Sequence, residues 1–242
     1  MTFQHLSRIV VPLVTASLLL AACGGAAVAP SATPAPTAVV TTATAAPTAT
    51  AATSATSVTT VTTPTWTISD TSKATVRVRE QLVGVNLPSD AVLVATGATG
   101  TFLLKDDGTF SSDSKITFDL TTLASDQRDR DNFVKMDTLQ TRQFPKAEFV
   151  PTRTSGLTLP MPASGEFTFK LTGQITIHGK TKEVTFDVSA TRSGNELKAS
   201  ATASPSWKFA DFGMSAPSVS FRVISVVDEI RVVVDLVATI KA

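Results

Sequence analysis

Apolar and polar residues alternate along most of the chain after Trp66, and this alternation is the strongest pattern in the sequence. Every second position is apolar, with mostly polar residues between, in the segments 74–78, 116–120, 167–171, 184–188, 197–203 and 230–240. Successive side chains of a β-strand point to opposite faces of the sheet. A period of two therefore predicts that each segment is a strand with one apolar face.

The connections between these segments carry turn signals, and one longer stretch has a different pattern. Gly-containing turns are predicted at residues 106–108, 178–180 and 193–195. Residues 125–140 do not alternate, and Ser125 can cap a short helix that ends before Pro145. Its inward face would hold Phe133, Met136 and either Leu139 or Gln140.

These elements predict an all-β fold with one short helix. Many sequential antiparallel strands that finish in a long strand favour a closed barrel, because closure removes exposed sheet edges. A sandwich of two sheets is the competing architecture. The long last strand could also pair across a homodimer.

Composition narrows the classes of function. The 242-residue chain has a formal net charge of +1, so the basic surface typical of nucleic-acid binding is not expected. Cys23 is the only cysteine, which excludes an intrachain disulfide and a Cys-based zinc site. No His pair or acidic cluster has the spacing of metal ligands, so neither a metal nor another cofactor is predicted.

The N-terminal residues predict a lipoprotein signal peptide over residues 1–22. Arg8 precedes an apolar run that is shorter than the roughly 20 residues of a membrane-spanning helix. The sequence Leu20-Ala21-Ala22-Cys23 resembles the bacterial lipobox, which implies a lipid anchor on Cys23 and a place in the cell envelope outside the cytoplasm. An ordinary signal peptide with a cysteine near its cleavage site is the alternative.

The next segment has the composition of a tether. Residues 26–65 contain only Ala, Val, Pro, Ser and Thr, and they show no apolar periodicity. Such a sequence cannot bury enough apolar surface to fold. We therefore predict a disordered linker over residues 23–65, reaching on the order of 35 Å, and a folded domain over residues 66–242.

His178 is the one histidine of the chain after His5, and it allows two interpretations. It could be a catalytic base, since catalytic triads assemble from distant positions. It also stands beside Gly179 between two alternating segments, as a turn residue would. No GxSxG sequence provides a nucleophile. We predict a turn residue, no catalytic residues, and a protein that is not an enzyme.

Four blocks of sequence, in order, resemble the YceI-like family. They are the opening Trp66-Thr67-Ile68, residues 125–149 with the Arg130-Asp131 pair, residues 173–181 (GQITIHGKT), and Asp211-Phe212-Gly213-Met214. The resemblance implies a lipocalin-like barrel around a polyisoprenoid or another long, quinone-like lipid. The chain departs from the family pattern at residues 70–73, which lack a histidine, and at Lys135, where arginine is usual.

The resemblance, together with the apolar faces, indicates a set of cavity residues. They are Phe102, Phe118, Phe133, Phe149, Phe167, Phe169, Phe186 and Phe221, with room left by the alanines at 199, 201 and 203. Arg130, Asp131 and Lys135 would either meet the ligand's head group or hold the helix over the barrel. A solid-core barrel that serves as an interaction module of the envelope is the alternative function.

Overall fold

The structure is a computed structural model that describes residues 63–240. The predictions of a signal peptide, a lipid anchor on Cys23 and a tether therefore lie outside the described residues, apart from the last three positions before Trp66. Between residues 63 and 240, no helix has the length and apolar character that crossing a membrane requires.

Ten strands form one antiparallel sheet in the described part of the chain. Their bounds are β1 (Trp66–Ile68), β2 (Lys73–Leu82), β3 (Ser89–Ala95), β4 (Thr99–Phe102), β5 (Lys115–Asp119), β6 (Lys146–Ser155), β7 (Ser164–Ile177), β8 (Lys180–Ser193), β9 (Glu196–Ala203) and β10 (Val223–Ile240). Every alternating segment of the sequence lies in one of these strands, except that Leu120 already belongs to the turn after β5. Short 3₁₀ turns cover Leu120–Thr122 and Phe209–Phe212.

The sheet closes on itself. The strand order is β1-β4-β5-β6-β7-β8-β9-β10-β2-β3, and β1 also pairs with β10. Strands β1 and β2 follow one another along the same edge of β10, and β3 and β4 are likewise two parts of one wall. Because β1 with β2, and β3 with β4, each occupy one strand position, the result is an eight-stranded closed antiparallel barrel. This confirms the predicted fold class and excludes the sandwich.

Strand β10 has 18 residues and defines the two ends of the barrel. At one end Ile240 pairs with Trp66, whose ring stacks on Phe102 with centroids 6.1 Å apart. This aromatic plug fills what we call the plugged end. At the other end, roughly 50 Å along the strand, Val223 pairs with Leu82; we call this the open end.

The helix lies at the open end and differs from its prediction. The α-helix α1 (Arg128–Phe133) begins after Gln127, and Val134–Thr138 continues it with wider π-type hydrogen bonding. Ser125 is therefore not its N-cap. Met136 is 44% exposed and does not face inward as predicted, because the π turn changes the angular spacing of the side chains. Val134 and Leu139 pack instead on a small core at β3.

Candidate functional site

A cavity of about 520 Å³ occupies the barrel between the plugged end and α1. Its walls are the inward faces of several strands, including Val76 of β2, Leu93 of β3, Ile175 of β7 and Val232 of β10. The alternating pattern creates this lining, because it turns every second, apolar side chain inward. The volume falls in the range of about 300–1,000 Å³ that is usual for small-molecule sites. The barrel is hollow, which contradicts the solid-core alternative.

Small side chains leave the space open. Ala74, Ala91, Ala95 and Ala201 lie on the cavity wall, where larger residues would fill it. Of the three alanines expected to make room in β9, only Ala201 reaches the cavity. Ala199 and Ala203, on the same strand, pack in the hydrophobic core that surrounds the cavity.

Four of the predicted phenylalanines line the cavity: Phe118, Phe133, Phe149 and Phe186. Phe149 and Phe186 meet edge to face with centroids 5.5 Å apart. Trp207, which was not among the predicted cavity residues, also lines the cavity, and its ring lies 5.9 Å from Phe186. Phe209 and Phe212, likewise not predicted, are held against the cavity by the 3₁₀ turn. These three stand outside any alternating segment, so the period of two could not identify them.

The predictions that Phe102, Phe167, Phe169 and Phe221 line the cavity are wrong. Phe102 belongs to the aromatic plug. Phe167 and Phe169 pair with Ala190 and Val188, in the half of β7 that runs past the cavity toward the plugged end. Phe221 precedes β10 and is 96% exposed, because its residue turns out of the barrel at the open end.

A buried ion pair closes one side of the mouth. Glu80 is on the inward face of β2, and its carboxylate accepts a 2.6 Å hydrogen bond from the guanidinium of Arg130 on α1. The side chains of Arg130 and Glu80 are only 13% and 8% exposed. Arg130 also reaches Asp126 at 2.5 Å. The two terminal nitrogens of this guanidinium are thus each bound by a carboxylate, and the Glu80 contact ties α1 to the barrel wall.

Asp131 does not pair with Arg130, although the two are adjacent. Its Oδ1 accepts hydrogen bonds from the backbone N–H of Ser125 at 2.8 Å and from the Ser125 hydroxyl at 2.6 Å. Asp131 therefore fixes the chain as it enters α1. Lys135 lies in the π turn, outside the residues that line the cavity. Of the two roles proposed for Arg130 and Asp131, the geometry favours holding the helix.

His178 occupies the turn between β7 and β8, as the sequence indicated. It adopts a left-handed backbone with φ of 50°, and Gly179 follows with φ of 69°, as in the tight turns of antiparallel hairpins. The Nδ1–H of His178 donates to the Phe212 carbonyl at 3.2 Å, and its ring packs 4.8 Å from Phe144. His178 thus links the hairpin to the turn that bears Phe212.

The same turn is stabilised by Asp211. The ammonium of Lys182 lies 2.6 Å from its carboxylate, and the backbone N–H of Lys208 donates to it at 2.8 Å. The lysine first, and then the backbone N–H, hold the pKa of Asp211 below its ordinary value. Among residues 63–240 no three His, Cys, Asp or Glu side chains are grouped to hold a metal ion.

Comparison with known proteins agrees with this architecture. The model of the YceI-like domain matches residues 66–238. Two solved structures share the fold: a polyisoprenoid binding domain from Saccharophagus degradans implicated in plant cell wall breakdown, and BcnA of Burkholderia cenocepacia. The first is 10% identical with a TM-score of 0.53, covering 73% of this chain and 98% of its own. BcnA is 21% identical with a TM-score of 0.51, covering 69% and 96%.

Curated relatives are closer in sequence but match over a shorter length. A UPF0312 protein of Pseudomonas putida strain W619 is 35% identical over 132 residues, which are 49% of this chain and 64% of the relative. A UPF0312 protein of Pseudomonas fluorescens strain SBW25 is 34% identical over 139 residues, covering 52% and 68%. The family match spans all ten strands except the end of β10. This chain belongs to the YceI-like family.

Proposed function

We propose that the barrel binds one molecule of a long apolar lipid, such as a polyisoprenoid or a quinone-like lipid, inside the cavity. The observation that carries the proposal is the 520 Å³ cavity with an almost wholly apolar wall of aliphatic and aromatic side chains. Each buried CH₂ group of a ligand contributes about 0.8 kcal/mol to binding. A chain of several such groups needs no charged anchor.

The polar groups of the mouth support a ligand without a strong ionic contact. Arg130 and Arg222 are the two cations on the cavity lining, and each is paired with a carboxylate, Glu80 and Asp129 respectively. A charged phosphate would compete with these carboxylates for the two guanidinium groups, above all at the buried Arg130. An uncharged head group can lie beside them at no such cost.

The related domain from Saccharophagus degradans is described as polyisoprenoid binding, which supports the same class of ligand here. The experiment is denaturing mass spectrometry of lipid extracted from the purified chain. We expect an apolar lipid at close to one molecule per chain. Protein that is fully folded, carries no lipid and takes up none from detergent-solubilised bacterial lipid would contradict the proposal.

We propose further that the protein works at a membrane outside the cytoplasm of a bacterial cell, anchored through a diacylglyceryl group on Cys23. The support is the sequence Leu20-Ala21-Ala22-Cys23 and the uncharged residues 26–65 that follow. Metabolic labelling with a radioactive fatty acid should mark the chain, and the Cys23→Ser variant should lose the label. Equal labelling of both would contradict the anchor.

A further inference from the structure

The open end carries a rim of exposed apolar side chains. One part is the connection from β2 to β3, where Leu87 is 75% exposed, together with Val83 and Val85. The other part is the start of β10, where Phe221 is 96% and Ile224 63% exposed. The two parts are adjacent, since the Val83 backbone N–H donates to the Arg222 carbonyl at 3.0 Å. We call residues 83–87 and 221–227 the apolar rim.

The apolar rim is continuous with the cavity. Leu82, Arg222, Val223 and Val226 line the cavity, while their sequence neighbours Val83, Phe221, Ile224 and Val227 face solvent. The same two stretches of chain thus have an inner face on the cavity and an outer face on the surface. A ligand that leaves the mouth would pass directly onto the rim.

The rim is also almost free of charge. Residues 82–88 contain no charged side chain, and residues 213–227 contain only Arg222. That arginine is paired with Asp129 at 2.7 Å. The rim is therefore not a basic surface that would attract anionic lipid head groups. Its chemistry suits the uncharged acyl region of a membrane.

Phe221 gives a second, independent indication. Its backbone is left-handed, with φ of 66°, which is an unfavourable conformation for a bulky residue. Such a conformation persists only where the surrounding structure fixes it, and here the ring is exposed to solvent. Backbone strain of this kind concentrates at sites of function. The conformation presents an aromatic ring outward at the mouth of an apolar cavity.

We propose that the apolar rim docks on a lipid bilayer, with Phe221, Leu87 and Ile224 inserted below the head groups and the cavity mouth facing the acyl chains. The purpose of docking rests on the lipid-binding function proposed above, because it lets an apolar ligand move without crossing water. A second copy of the chain is the less suitable occupant, since two barrels joined mouth to mouth would close both cavities.

The test places an environment-sensitive NBD dye at either end of the barrel in the full chain. The chain has one native cysteine, so the Cys23→Ser background allows a single labelled site at Phe221→Cys or at Asn195→Cys. Asn195 is exposed at the plugged end, where its carbonyl accepts from the Ile240 N–H. The vesicles are phosphatidylcholine with nitroxide-labelled acyl chains.

We expect the dye at 221 to shift to the blue and to be quenched by the nitroxide, and the dye at 195 to remain in water. Quenching should persist at about 1 M salt, where the Debye length is only ~3 Å. Residues 1–65 are the same in both proteins and join the barrel at the plugged end. Binding through those residues alone would favour quenching at 195, so equal quenching at both sites, or none at 221, overturns the proposal.

Two further measurements keep the outcome clear. Phe221→Asp, read by a dye on the Leu87→Cys variant, should weaken vesicle partitioning about tenfold or more, and Val92→Asp on the outer face of β3 should not. The dye at 221 could instead be shielded from water before vesicles are added, while the molecular mass of the protein doubles at higher concentration. This result would assign the rim to a dimer interface and overturn bilayer docking. If protein that takes up no lipid in its cavity still docks on vesicles, docking of the apolar rim is supported while the proposed lipid-binding function fails.

Discussion

Breaking the buried ion pair between Arg130 and Glu80 should be the most costly single change at the cavity mouth. The two charged groups are 2.6 Å apart and nearly buried. At an effective dielectric constant of about 20 their attraction is about 6 kcal/mol, most of which is offset by desolvation. Removing one partner leaves the other charge buried, and that cost is about 3 kcal/mol.

The variants are Arg130→Met, Glu80→Met and the double substitution. We expect Arg130→Met to lower the free energy of unfolding by about 3 kcal/mol. Glu80→Met should cost less, because Arg130 keeps its contact with Asp126. The double variant should cost less than the sum of the two by about 2 kcal/mol, since neither charge is then left alone.

Urea unfolding of lipid-free protein, followed by tryptophan fluorescence, measures each variant. Arg222→Met is the matched control, because its pair with Asp129 is 69% and 75% exposed and should contribute about 0.5 kcal/mol or less. Equal losses from Arg130→Met and Arg222→Met, or strictly additive losses around the cycle, would refute the helix-holding role of Arg130. A fully stable Arg130→Met protein with altered lipid affinity would assign Arg130 to the head group instead.

Three further outcomes follow from the strands and turns that surround the cavity. Gly173→Ala should destabilise the fold by about 1–3 kcal/mol in a thermal melt, because its Cβ would come within 2.5 Å of the Phe149 ring. Asp211→Asn should lower stability at neutral pH, because Lys182 first, and then the Lys208 N–H, stabilise the ionised carboxylate in the folded protein and lower its pKa. The difference from wild type should shrink as pH falls below the ordinary Asp pKa and be lost below the lowered one, so a constant difference across a pH series of melts would contradict the assignment. His178→Ala should cost about 1 kcal/mol, for one lost hydrogen bond, and leave lipid affinity within about twofold in a fluorescence titration, because the ring lies in a turn.

The barrel was predictable because its information is local. A period of two marks most of the strands, and the long alternating segment 230–240 favoured a closed barrel. The closure of the barrel by β1 was harder to predict, because β1 has only three residues and pairs with residues near Ile240, far along the chain. The sequence and the family resemblance predicted a barrel, but not that β1 pairs with β10 to close it.

The cavity lining was only partly predictable, because alternation says which side chains face inward and not how far along the barrel they lie. Phe167 and Phe169 share a face with Leu171, but only Leu171 reaches the cavity. Phe167 and Phe169 lie on the part of β7 that continues past the cavity toward the plugged end, and no local pattern shows where along the strand the cavity stops. The partner of Arg130 was equally hidden, because Glu80 is fifty positions away and reads in the sequence as one polar residue of a strand.

The two tryptophans allow a direct test of whether a lipid chain occupies the cavity. Trp207 lies on the cavity wall, whereas Trp66 belongs to the aromatic plug outside it. The measurement is quenching by a brominated long-chain alcohol in the Trp66→Phe and Trp207→Phe variants. We predict saturable quenching of Trp207 at one molecule per chain and little quenching of Trp66; equal quenching of both, or none of Trp207, would contradict a ligand in the barrel.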